Sequence, residues 1–176
     1  ALGGTVQVER VSVDFSPGAI IDADGNTYSG IVTAAVTHVD PYTAELEGAP
    51  GDLQALMFDG SGTSKDAMTA AQLISYGMVD VTLTGEDGEE LNVDEDAPAE
   101  VEMPITNPDA LGDWTQLANG ESMDTWSFDK TRGRWVEEGE GETFQDDDGN
   151  LMFRFEASHF SWWNCDQGNP PSCATG

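Results

Sequence analysis

Hydrophobic side chains recur at every second position through much of this chain. Near the N-terminus, the apolar residues from Val6 to Val8 have one parity and those from Val11 to Phe15 have the other. Side chains of a strand point alternately to its two faces, so this pattern predicts half-buried strands. The change of parity predicts either two short strands or one bulged strand.

The same alternation predicts further strands along the chain. They fall at residues 31–39, 79–84, 100–105, 126–128, 135–136 and 151–157, with turn chemistry at 16–18, 22–26, 85–88, 132–133 and 145–150. Ile31–Val39 is apolar on both faces, which is typical of a central sandwich strand, and only Lys65–Ile74, rich in Ala and Met, predicts a short helix. Short strands with a turn about every ten residues predict an all-β chain, folded as an antiparallel β-sandwich.

The segment Leu151–Asp166 has the most informative pattern. Its apolar residues alternate from Leu151 to Ala157, but the next large ones, Phe160 and Trp162, have the opposite parity. An uninterrupted strand cannot change parity, so we expect an extra residue, a bulge or a bend near Ser158–His159.

The residues that follow this distortion suggest a chemical hypothesis. If the Phe160–Ser161 peptide is strained, the Ser161 hydroxyl can attack the Phe160 carbonyl and form an ester that water hydrolyses. The alternative interpretation is a core strand that happens to contain these residues. Ser-His-Asp order, a Cys-His pair and a phosphate loop are absent from the sequence, which gives little support to catalysis on a diffusible substrate.

His159-Phe160-Ser161 resembles the cleavage tripeptide of self-processing β-sandwich domains in death-domain and netrin-receptor-like proteins, and of the self-cleaving nucleoporin domain. That resemblance implies that His159 takes the hydroxyl proton while Ser161 attacks. It also implies that both fragments stay paired in the sheet after cleavage.

A longer resemblance extends over residues 3–166. In order and spacing, five segments resemble a module of secreted and surface proteins of bacteria, which is also similar to part of cartilage intermediate layer proteins. These segments are Ser16–Ala19, Asp22–Asn26, Pro50–Leu53, Ser75–Val81 and Ser158–Asp166. Residues 61–72 depart from the pattern as an insertion would. The resemblance implies a β-sandwich located outside the cell or at its surface, and it implies little about activity.

Length and charge limit the remaining interpretations. The 176 residues are predicted to form a single domain, 1–176, and no apolar run approaches the length that spans a membrane. Thirty-four acidic residues against six basic ones give a formal net charge of −28. Such a surface repels phosphate, which excludes nucleic acid and anionic membranes as partners. Adaptation to high salt and a set of calcium sites both remain as explanations, and the even spread of the acids favours the first.

Two acidic loops have the spacing of the first half of a calcium loop. The candidate ligands are Asp22, Asp24 and Asn26 in one loop, and Asp146, Asp148 and Asn150 in the other. Neither loop is followed by the glutamate that closes an EF-hand, and Asp-Gly-Asn is also ordinary turn chemistry, which we favour. Calcium is the one cofactor that the sequence suggests.

The two cysteines suggest an oxidising compartment. Cys165 and Cys173 enclose a turn-forming segment, and a disulfide between them would close a C-terminal loop within residues 166–176. A bridge across so short a loop stabilises the fold by about 2–3 kcal/mol. Two free thiols are the alternative, and a zinc site is not expected because no further ligands stand at suitable spacing.

The remaining aromatic and histidine residues add little. The five tryptophans fit core positions better than sugar-stacking platforms, and His38 fits a buried or edge position better than a role beside Ser161. The sequence therefore predicts a non-catalytic extracellular or cell-surface module with a structural, adhesive or assembly role, including that of a surface-fibre subunit. Its protein partners would be further copies or neighbouring surface domains. The alternatives are a domain that cleaves its own Phe160–Ser161 bond, and a calcium- or carbohydrate-binding module.

Overall fold

Antiparallel strands joined by tight turns dominate the structure. The computed structural model describes residues 3–58, 68–106 and 119–169, and within them it has strands and a single 3-10 helix, Ala44–Gly48. The strands are β1 Gly4–Val8, β2 Val11–Phe15, β3 Ile20–Ile21, β4 Val32–Val39, β5 Gln54–Phe58, β6 Met68–Gly85, β7 Glu90–Val93, β8 Ala99–Pro104, β9 Asn119–Asp129, β10 Arg134–Gln145, β11 Leu151–Ala157 and β12 Trp162–Asn169. No helix in the described part of the chain is long and apolar enough to cross a membrane.

The strands form one sheet that folds back on itself into two layers. Hydrogen bonds link the strands in the order β1-β2-β8-β11-β10-β9-β12-β6-β7-β3, with β4 paired to β6 and β5 placed between β10 and β6. Strands β9 and β10 are long and have register shifts near Gly139 and Phe144, so they contribute to both layers. The pairing is antiparallel except between β5 and β10.

The main core lies where the two layers face each other. Across it, the ring of Phe155 on β11 packs against that of Trp163 on β12, with 5.2 Å between ring centroids. A second, smaller cluster surrounds the buried Trp126 and Trp135. The fully buried residues of the main core include Val13, Val101, Phe153, Tyr76, Val79, Val81 and Leu83. The predicted all-β antiparallel sandwich is confirmed.

The turn chemistry also forms as predicted. Val6–Val8 and Val11–Phe15 lie on two strands of a hairpin, whose turn holds Glu9 at a φ of 54°. The turns at 22–26, 85–88 and 146–150 are closed by backbone hydrogen bonds.

The predicted helix over Lys65–Ile74 is wrong for its described part. Met68–Ile74 begins strand β6, which pairs with β5 and with β12. Ala71 and Leu73 are buried while Gln72 and Ile74 are exposed, so the burial has the period of a strand. Residues 65–67, and most of the expected insertion, lie outside the described residues.

Strand β4 is not the central strand that Ile31–Val39 predicts. It pairs with β6 along one side, and no other strand of the described residues pairs with it. Its side chains alternate between half-buried and exposed positions. The small Ala and Thr residues of β4 made its two faces look equally apolar.

The change of direction predicted near Ser158–His159 is confirmed. The predicted change of parity holds for Phe160, which packs against the main core, and is wrong for Trp162. Strand β11 ends at Ala157, residues 158–161 bend, and β12 begins in the opposite layer at Trp162. Trp163 faces the main core and is 1% exposed, so it continues the parity of Leu151–Ala157. Trp162 is half-buried against the second cluster.

Candidate processing site

The bend between β11 and β12 holds its histidine by packing. The imidazole of His159 lies against the Trp163 indole, with 5.0 Å between ring centroids. The Trp163 Nε1–H donates to the His159 carbonyl at 3.0 Å, and His159 Nε2 lies 3.9 Å from Glu138 Oε1. A protonated His159 would therefore pair with Glu138.

The hydroxyl of Ser161 is directed at backbone carbonyls. Its Oγ lies 3.1 Å from the Trp162 oxygen and 3.3 Å from the Phe128 oxygen. In the hydrogen bonds of the described residues, Ser161 has no link to His159. The single hydroxyl proton can be donated to one of these two acceptors at a time.

Phe160 fastens the bend to both layers of the sandwich. Its backbone N–H donates to Asn92 Oδ1 on β7 at 2.7 Å. Its ring packs edge-on against Phe15 on β2, with centroids 5.7 Å apart. The peptide bond of the hypothetical cleavage is thus held from two sides.

An acid and a base that sequence reasoning missed lie near Ser161. Asp80 on β6 and Lys130 line the same small cavity of about 30 Å³ as Phe160 and Ser161. Burial raises the pKa of the Asp80 carboxyl, against the opposing effects of the Thr82 hydrogen bond and the Lys130 charge. The sequence signal that could have identified Asp80 was its position between Val79 and Val81, as a carboxylate within an otherwise apolar stretch.

His38 takes the edge position that its parity indicated. It lies on β4 opposite Val79 of β6, and Val79 in turn lies opposite Trp163 of β12. Two strand spacings, roughly 10 Å, therefore separate its backbone from the strand that follows Ser161. Burial lowers the pKa of His38, although the nearby Pro104 carbonyl opposes this.

Both proposed calcium loops use their first aspartate to close a turn. Asp22 Oδ1 accepts from the backbone N–H groups of Asp24 and Asn26, each at 2.9 Å, and the Asn26 amide also donates to this carboxylate. Asp146 makes the same set of bonds with Asp148 and Asn150. These bonds lower the pKa of both aspartates.

In each loop, the carboxylate of the first aspartate thus already accepts hydrogen bonds from backbone and side-chain N–H groups. No group of three or more His, Cys, Asp or Glu side chains in the described residues is placed to hold a metal ion. Calcium binding by these loops stays a prediction.

The tryptophans of the described residues serve the core more than any surface. Trp126, Trp135 and Trp163 are buried and Trp162 is half-buried, while Trp114 lies outside the described residues. Stacking of a sugar on the buried three would require the sandwich to open.

A buried polar network follows Trp163, and sequence reasoning missed it. Ser75 Oγ donates to Asn164 Oδ1 at 2.7 Å, and Asn164 Nδ2 donates to Asp166 Oδ2 at 2.8 Å. Between them, burial raises the pKa of Cys165 far above its ordinary value, so its thiol stays protonated. In the described residues Cys165 is a buried free thiol. Cys173 lies outside them, so the predicted disulfide stays a prediction.

Comparison with known families gives a match over nearly the whole chain. The model of the family described as "FAM171A1/A2/B, N-terminal" matches residues 3–166, which include the whole bend from Ser158 to Ser161. The chain belongs to this family. The matched region ends inside β12, after Cys165.

Cartilage intermediate layer proteins are similar to this chain, as the sequence predicted. Cartilage intermediate layer protein 2 of Mus musculus is 34% identical over 125 residues, and that of Homo sapiens is 33% identical over 123 residues. These alignments cover 70% and 69% of this chain and 9% of each relative, so the chain corresponds to a small part of either protein. No solved structure matches the chain. The resemblances to bacterial surface modules and to self-processing domains stay predictions.

Proposed function

We propose that this chain is a non-catalytic extracellular module with a structural, adhesive or assembly role. Family membership and the similarity to part of cartilage intermediate layer protein 2, whose name refers to a tissue layer, support a location outside the cell. The formal charge of −28 supports a surface that stays in water and meets protein partners.

The contacts of His159 and Ser161 in the bend carry the proposal that the module is non-catalytic. His159 packs on Trp163, and the Ser161 hydroxyl is bonded to backbone carbonyls. A nucleophile and its base need to lie within hydrogen-bond reach of one another. The packing of His159 and the hydrogen bonds of Ser161 support a structural role for both side chains.

Intact-mass spectrometry under denaturing conditions tests the absence of self-processing. After long incubation at several pH values, the wild type should give one uncleaved species, the same as the Ser161→Ala control. Fragments 1–160 and 161–176 in the wild type, absent from the control, would show that the module is catalytic. The measurement needs denaturant because Trp163 would keep the short fragment in the sheet.

Surface labelling tests the location and the role. The module expressed in its source cells should be reached by a protease or an antibody without permeabilising the cells. Protection of the module in intact cells, with cleavage only after lysis, would contradict an extracellular role.

Self-cleavage at Phe160–Ser161 remains the second candidate because of one observation. The bond lies in a bend outside any strand, beside Asp80, whose pKa is raised by burial and which lines the same cavity as Ser161. A carboxylate of raised pKa is a better proton acceptor than an ordinary one. The mass measurement above decides between the two candidates.

A further inference from the structure

The outer side of β4 is a long unpaired sheet edge. Eight consecutive residue pairs, from Val32 with Gly85 to Val39 with Met78, join β4 to β6 without a register shift. On the other side, no strand of the described residues pairs with β4. No described strand therefore uses its backbone N–H and C=O groups on that side, and such an edge can pair with another strand.

This edge lacks the usual protection against pairing. Proteins normally protect an exposed edge with Lys, Pro, a bulge or a very short strand. Strand β4 reads Val-Thr-Ala-Ala-Val-Thr-His-Val and has none of these features. Ile31, directly before it, is 73% exposed. By contrast, the edge strand β1 has five residues and runs into Glu9 and Arg10, and β3 has two residues.

Charge selects the kind of strand that can reach this edge. Copies of a chain with a net charge of −28 repel one another over most of their surface. The segment Thr27–Val39, however, contains no acidic, Lys or Arg residue, and burial lowers the pKa of its one histidine, His38. Carboxylates lie beside the C-terminal end of β4, where Glu9, Asp40 and Glu45 line a cavity together with Arg10. A second uncharged strand brings no like charge to β4 itself.

The side chains of β4 are complementary to a second copy of themselves. Ala34 and Val36 pack against the main core, while Thr33, Ala35 and Thr37 are exposed. Opposite residues of an antiparallel pair share a face, so a two-fold axis at Ala35 keeps both cores on the same side of the sheet. Thr33 then lies opposite Thr37 of the second copy, and Ala34 opposite Val36.

From this edge we propose that two copies of the chain associate by antiparallel pairing of β4 with β4, centred on Ala35. The interface is isologous, and it extends one layer of the sandwich across both copies. Asp40 falls at the end of the pairing, opposite Gly30 of the second copy, so no two carboxylates face each other. This inference rests on the assembly role proposed above, for which it supplies the partner and the surface.

Space beside the edge is consistent with this arrangement. A cavity of about 430 Å³ lies between the β1–β2 hairpin and the C-terminal half of β4. Val8, 42% exposed, lines it together with Val36 and Thr37. The cavity leaves room for side chains of an added strand beside this half of β4, close to β1.

Sedimentation velocity over a range of protein concentrations, at low and high salt, tests the pairing. The wild type should form dimers whose fraction rises with salt, because screening reduces the repulsion between the two acidic copies. Ala35→Glu should remain monomeric at concentrations where the wild type is dimeric, since it places two carboxylates at the two-fold axis. Ala35→Gln, similar in shape but uncharged, should dimerise, and its melting temperature controls for folding.

A mixing experiment locates the contact. Ala35→Glu mixed with Ala35→Lys should restore dimers, as mass-tagged heterodimers, because opposite charges then meet at the axis. A wild type that stays monomeric up to its solubility limit in high salt would overturn the pairing. The surface-labelling and intact-mass experiments would still test the proposed function independently. If Ala35→Glu dimerises as much as the wild type does, the pairing of β4 with β4 is also overturned. The proposed assembly role would then have to use another surface.

Discussion

The bend at 158–161 and the edge of β4 lie on opposite sides of strand β6 and differ in how their polar groups are used. In the bend, the Phe160 N–H, the Ser161 hydroxyl and the His159 carbonyl all have partners within the chain. Along β4, the backbone of one side has no partner among the described strands. The bend, which has the residues that suggest chemistry, thus has its polar groups bonded within the chain. Strand β4, which has only small and apolar residues apart from His38, has no partner along one side among the described strands.

The largest expected effect comes from removing the ring that anchors the bend. Trp163→Ala deletes the contacts of a buried indole with Phe155 and His159, so we expect the free energy of unfolding to fall by about 3–5 kcal/mol. Trp162→Ala, at the half-buried neighbour, should cost clearly less. Chemical denaturation of both variants measures the difference, and equal losses would contradict the placement of Trp163 in the main core.

Removing the side chain of Asn92, which accepts a hydrogen bond from the bend, should cause the next largest loss of stability. Asn92 Oδ1 accepts from the N–H groups of Phe160 and Val93, at 2.7 and 2.8 Å. Asn92→Ala leaves both donors without this acceptor and should cost about 1–3 kcal/mol. Asn92→Asp keeps an oxygen there and should lose less. Chemical denaturation measures these losses. If Asn92→Ala is as stable as the wild type, the bend does not depend on this hydrogen bond.

A smaller effect, of opposite sign, is expected at Asp80. Its pKa is raised in the fold by burial, so the folded state binds the proton more tightly than the unfolded chain does. Stability is then lost as the pH rises from the ordinary pKa of the aspartate through the raised one. Asp80→Asn cannot ionise and should be more stable than the wild type at neutral pH, with the gain shrinking in acid.

Thermal unfolding as a function of pH checks this sign. Asp129→Asn, at an acid that pairs with Arg132, is a control that should show no such gain at neutral pH. A gain for Asp80→Asn that grows towards low pH would contradict the burial of its carboxyl.

Many of the strands and turns in these two regions could be predicted from the sequence. The remaining features depend on pairing between strands that are distant in the sequence. The alternation from Leu151 to Ala157 and the Asp-Gly turns are local signals, and they were right. Met68–Ile74 has helix-forming composition, but pairing with Gln54–Phe58 makes it a strand. One of the two acceptors of the Ser161 hydroxyl, the Phe128 carbonyl, lies thirty-three residues away in the sequence, and no local pattern near Ser161 predicts it. The position of β4 at a sheet edge is likewise set by its pairing with the distant strand β6, which the sequence of β4 does not indicate.

The smallest expected effect concerns the type of cation. Lowering the salt should lower the melting temperature, because a charge of −28 repels itself when unscreened. Since Asp22 and Asp146 already accept hydrogen bonds within their turns, calcium should stabilise the protein no more than magnesium at equal ionic strength. An additional rise with calcium that is lost in Asp146→Asn would instead establish a calcium site.

Residue-resolved hydrogen–deuterium exchange tests the contrast between the two regions most directly. In dilute protein at low salt, the Phe160 amide should be protected, and amides at alternate positions of β4 should exchange quickly while their neighbours, bonded to β6, are slow. At high concentration and high salt, the fast β4 amides should become protected and Phe160 should not change. Uniform protection along β4 in dilute protein, together with fast exchange at Phe160, would contradict both the open edge and the internally satisfied bend.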